Sequence, residues 1–162
     1  MLALPPGVTR VCFTETHDTR DVNPIADAVR GSRLARMLLI GIVGCGFVPM
    51  LWAGQEDHDQ ALVARLLKLH ATLPIIHSGE RRFNAIPCDM PAIWSVIRLH
   101  AGRALAVMLN LGPHRRTATL SLPVDHLSLP EGAFHLVDLL SERVIDEQGR
   151  TTWLREELLS GP

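Results

Sequence analysis

Two stretches of this 162-residue chain place groups capable of acid, base or ligand chemistry directly after apolar runs. In the first, Val11 to Thr14 have the β-branched, aromatic and small apolar make-up of a short buried strand, and the chain then switches to Glu15, Thr16, His17 and Asp18. A His-Asp pair at the carboxyl end of such a strand, just ahead of a helix, stands where α/β barrels and open α/β sheets present reacting side chains. In the second, the apolar run Phe47 to Trp52 gives way to Gly54-Gln55-Glu56-Asp57-His58-Asp59. His17, Asp18, Asp57, His58 and Asp59 could converge at one end of a sheet as nitrogen and oxygen ligands of a metal. The plainer reading is that acidic residues ahead of a helix cap it.

The elements that must position these groups follow from periodicity. Asn23-Pro24 pairs an N-cap residue with proline at the first helical position. Ile25, Val29, Leu34, Leu38 and Ile42 then recur at roughly helical spacing, with Arg30, Arg33 and Arg36 on another face, which predicts a helix from Ile25 to about Val43. Gly44, Gly46 and Pro49 separate that helix from a second strand over 47–53. A further helix is expected from Gln60 to Leu73, with Leu62, Leu66, Leu69 and Leu73 on one face. Strand, helix, strand, helix is the order that builds a parallel sheet. After Pro74 the period is lost, and residues 75–92 read as a linker. Ile93 to His100 and Ala104 to Asn110 then form a hairpin about Ala101-Gly102-Arg103. Thr117 to Leu122, Phe134 to Leu139, Arg143 to Ile145 and Thr151 to Leu154 supply further short strands, with a turn at Glu147 to Arg150. The expected organisation is α/β over 1–74, a linker, and an antiparallel β domain over 93–162.

Composition removes several classes of function. With 47% hydrophobic and 20% charged residues the chain is globular. A net charge of -1 offers no basic face for nucleic acid or an anionic membrane. The uncharged window from Met37 to Gly54 is long enough to raise a membrane span, but its glycines and Pro49 fit a buried helix, a turn and a buried strand instead. Cys12, Cys45 and Cys88 lie too far apart for a structural zinc site, and no disulfide framework is expected.

Taken in order, these features resemble the C-terminal part of an α-amylase-superfamily glycoside hydrolase. The family pattern Phe-x-x-Asn-His-Asp reads here Phe13-Thr14-Glu15-Thr16-His17-Asp18, with Arg20 also in place. Gly-x-Pro-x-x-x-x-Gly-x-Glu is close to Gly46 through Glu56, with one extra residue before Pro49. Val137 to Glu142 resembles the strand and turn near the end of the family's C-terminal domain. Thr16 replaces the usual asparagine. The resemblance implies the last two βα units of a (β/α)8 TIM barrel, followed by a small antiparallel β-sandwich. It also implies retaining hydrolysis or transglycosylation at α-glucosidic bonds of starch-like or malto-oligosaccharide substrates. Asp18 matches the family's third carboxylate, a transition-state stabiliser, and His17 matches its substrate-binding histidine.

The family's nucleophilic aspartate and acid/base glutamate belong to the fourth and fifth strands, upstream of this sequence, and neither Glu15 nor Glu56 falls at a matching position. A complete barrel takes about 250 residues. The chain is therefore expected to be part of a longer enzyme and inactive alone, its partners being the α-glucan or oligosaccharide substrate and the missing N-terminal barrel portion. Neither nucleic acid nor membrane is expected as a partner. No cofactor is assigned to this chain, with calcium possible in the complete enzyme. The alternative is a non-catalytic carbohydrate-binding or partner-packing module derived from such an enzyme. Against glucan binding stand an aromatic content of only 4% and the absence of tyrosine. Trp94 and Trp153 read as core.

Overall fold

A computed structural model describes residues 8–12, 32–51, 59–123, 127, 131–145 and 153–154. The chain divides into two compact units, Met1–His77 and Ser78–Pro162.

The first unit begins with β1 (Val11–Cys12), which pairs in parallel with β2 (Val48–Pro49), Val11 opposite Val48 and Cys12 opposite Pro49. Between them lie α1 (Ser32–Leu38) and a π-helical segment, Leu39–Gly44. A single α-helix to Val43 is expected from the spacing. The widened turn appears where two glycines, Gly41 and Gly44, leave the backbone free to shift from i−4 to i−5 pairing. Its ladder closes with Cys45 N–H donating to the Ile40 carbonyl at 2.7 Å. Gly46, at φ 67, then ends the helix as a left-handed cap, its N–H reaching the Ile42 carbonyl at 3.1 Å.

α2 (Gln60–Thr72) starts at Asp59, whose Oδ1 accepts from Leu62 N–H at 3.2 Å. It buries Val63, Leu66 and Leu69, a face at helical spacing, and packs on the π-helical segment and α1. Leu38, Ile42, Val43, Cys45, Ile75 and Ile76 are also buried in this unit. The helix stops at Leu73 because Pro74 follows, and α3 (Pro74–Ser78) turns the chain. None of the described helices is long and apolar enough to cross a membrane.

The second unit is antiparallel throughout its described pairs. β3 (Glu80–Phe83), β4 (Ile93–His100) and β5 (Arg103–Asn110) form a sheet in the order β3-β4-β5. β3 lies within the stretch read as a linker. Its Glu-Arg-Arg-Phe composition hides the strand, since only Phe83 is apolar. Ala101 (φ 48) and Gly102 (φ 72) form the two-residue turn that sets His100 opposite Arg103. β4 is central, so Ser95, Val96, Ile97 and Arg98 are all buried and the alternation of exposure is lost there. Ile97 packs with Ile86 and Leu127, joined by Ala85, Leu99, Leu120 and Leu122. Trp94 is half-buried, its ring 6.3 Å from that of Phe83; the side chain of Trp153 lies outside the described residues.

Thr117 to Leu122 forms an isolated bridge, Leu120 opposite Cys88, in place of the expected strand. Pro87, whose carbonyl accepts from Ser121 N–H at 3.0 Å, has no N–H to return, so the ladder does not extend. Further on, β6 (Ala133–Phe134) pairs with β9 (Trp153–Leu154), and β7 (Val137–Asp138) with β8 (Arg143–Val144). The expected pairing of 143–145 with 151–154 gives way to a local hairpin. Its turn is held by Asp138, which accepts from Leu140 N–H at 2.9 Å and from the Ser141 hydroxyl at 2.6 Å. Those two bonds, the Ser141 one first, hold the Asp138 carboxyl below its usual pKa.

Candidate functional site

The parallel register of β1 and β2 sends both strands out of the pair at the same end. Beyond Cys12 the sequence runs to His17 and Asp18, and beyond Pro49 it runs to Glu56, Asp57 and His58. These five residues lie outside the described residues, as do Glu15 and Thr16. Asp59 is described, and it is the N-cap of α2. Among the described residues no three His, Cys, Asp or Glu side chains converge as metal ligands.

The β1–β2 pair is unequally covered. On one side β2 packs against the π-helical segment. Register partners share a face, and Val11 and Val48 are 54% and 41% exposed; Met50, two residues beyond Val48, is 43% exposed. Parallel strands are ordinarily buried on both faces.

Two further clusters were not legible as sites. At the end of α2, the rings of His70 and His77 meet edge to face with centroids 4.3 Å apart, and His77 Nε2 contacts the His70 carbonyl. His70 Nε2 is buried with no hydrogen-bond partner among the described residues. Burial first, and His77 second, push the His70 pKa below its ordinary value, with a backbone hydrogen bond at Phe47 pulling the other way. The two histidines are seven residues apart, a same-face spacing in an unbroken helix, but Pro74 ends α2 between them.

In the β unit, a cavity of about 220 Å³ opens beside the β4–β5 turn, lined by Glu80, Arg82, Leu99, His100, Arg103 and Leu127 among others. Arg82 Nε and Glu80 Oε1 are 2.7 Å apart. The hydrogen bond, reinforced by opposite charge, lowers the Glu80 pKa and raises that of Arg82, so both are ionised near neutrality. The i, i+2 spacing of these two residues was a usable signal once residues 80–83 are known to be a strand.

No protein-family model matches the chain, and no curated protein matches it in sequence. A solved structure does: the noncanonic maltogenic α-amylase AmyB from Thermotoga neapolitana, with a TM-score of 0.60 over 93% of this chain. The chain shares the fold of part of that amylase. Sequence identity with that amylase is 18%, and the chain spans 40% of its length.

Proposed function

We propose that the chain is the C-terminal portion of a retaining glycosidase or transglycosidase acting on α-glucosidic bonds of starch-like or malto-oligosaccharide substrates. In this reading β1 and β2 are the last two strands of a (β/α)8 barrel, and the second unit is the C-terminal β-sandwich domain. The observation that carries it is the parallel β1–β2 pair joined through a helical connection, with the His-Asp and Glu-Asp-His-Asp clusters following its carboxyl ends. That is the end at which barrel enzymes hold their chemistry. The exposed Val11, Val48 and Met50 support it too, as an inward strand face that further barrel strands would cover.

Asp18 would hold sugar hydroxyls of the distorted ring, and His17 would hydrogen-bond a hydroxyl in the same subsite. Such contacts accelerate the reaction to the extent that they tighten as the oxocarbenium-like transition state forms. The nucleophile and the acid/base would come from strands outside this sequence.

The test is to express the chain joined to the polypeptide encoded in frame upstream of it and to assay release of sugar from malto-oligosaccharides. Activity is expected in the joined protein and not in the chain alone. Asp18→Asn should lower kcat by about 10²–10³-fold, the scale seen when one transition-state contact is removed. Full turnover in that variant would remove the assignment. Glucan binding without hydrolysis in the joined protein would make the chain a binding module instead.

A further inference from the structure

We propose that the cavity beside the β4–β5 turn is a binding site for a small phosphate-bearing ligand, independent of any glycosidase chemistry. Among the described residues its ionisable lining consists of two guanidinium groups, an imidazole and one carboxylate. The carboxylate, Glu80, is engaged by Arg82 at 2.7 Å, and their charges cancel. The Arg103 side chain forms no ion pair or hydrogen bond with the described residues, so among them its positive charge has no partner at the cavity. His100 stands opposite it in register across the turn and adds a second hydrogen-bonding group. A guanidinium pairs bidentately with a phosphate, and a tetrahedral oxyanion has oxygens enough to engage Arg103 and His100 together.

Size and chemistry narrow the ligand. About 220 Å³ is below the roughly 300–1,000 Å³ typical of sites for drug-sized molecules. Among the described residues no Phe, Tyr or Trp lines the cavity to stack on a sugar ring, which argues against a neutral saccharide. Among the described residues the apolar wall is Leu99, Leu127 and Ala101, too little to favour an apolar ligand. The open setting means that binding should weaken as salt is added.

The experiment is an NMR titration of the isotope-labelled chain, following the Gly102 and Arg103 amides. Inorganic phosphate is added at low ionic strength, with chloride at matched ionic strength as the control. Saturable shifts with phosphate and not with chloride are expected. Arg103→Gln should weaken binding by about tenfold, the effect of losing one charge-assisted pair. Glu80→Gln should tighten it, because the only carboxylate among the described lining residues is gone. Preserved β4 amide shifts show that each variant is folded, and His100→Ala, expected to weaken binding, gives a third reading. Glucose 6-phosphate binding more tightly than phosphate would identify an organic phosphate, and equal binding would identify free phosphate. Absence of a saturable phosphate shift, unchanged affinity in Arg103→Gln, or weaker binding in Glu80→Gln would overturn the proposal. Saturable shifts with uncharged glucose but not with phosphate would also overturn it.

Discussion

Two forces at the end of α2 oppose protonation of His70: its ring is partly buried, and a second imidazole lies edge-on to it. α1 and the π-helical segment pack on α2, and their only described titratable side chain is Arg36, which is also cationic. The folded-state pKa of His70 is lowered, so the fold favours the neutral ring. Its contribution to stability is therefore fully present above the unfolded value of about 6.5 and is lost as pH falls through that value toward the lower folded one. Melting followed by circular dichroism at pH 8 and pH 5.5 should show a larger fall in Tm for the wild type than for His70→Asn. An equal fall in both would assign the loss to other groups. The contrast with His17 is instructive at this scale. His17 and Asp18 stand out in the sequence because they end an apolar run. The His70–His77 contact does not, because the two rings stand on separate helices, on either side of the break at Leu73-Pro74.

α2 is the helix whose extent the sequence predicts to within one residue, and the reasons are local. An acidic N-cap, leucines on one face and a terminating proline all act within a turn or two of where they occur. Asp59→Ala removes the bond to Leu62 N–H and should cost about 1 kcal/mol, read from denaturant unfolding followed by circular dichroism. A change below a few tenths of a kcal/mol would mean that Asp59 is held for another role, such as the ligand role open in the sequence. The π-helical segment and the β7–β8 hairpin were less legible. A π-turn depends on which carbonyl each N–H finally meets. The hairpin depends on Asp138 choosing Leu140 and Ser141 as partners in preference to a longer-range pairing.

Across the whole molecule, each compact unit has its own buried centre, Leu66 and Ile76 in the first and Val96 and Ile97 in the second. Leu66→Ala should cost about 2–5 kcal/mol in the first unit. Hydrogen exchange should then show amide protection lost over Gln60–Thr72 while that of Ile93–His100 is kept. Equal loss in both would show that the two units unfold as one. The sequence by itself determined the helix of residues 60–72, the hairpin of residues 93–110 and the change from helical to alternating periodicity, since these arise from contacts between near neighbours. It also marked His17 and Asp18 through the abrupt end of an apolar run. The tertiary structure decided that β1 and β2 pair in parallel, that one of their faces is left apolar and exposed, that β3 joins the sheet, and that Glu80, Arg82, His100 and Arg103 surround one cavity. Those are contacts between residues far apart in the chain, and their energies depend on register and burial, which no local window of residues contains.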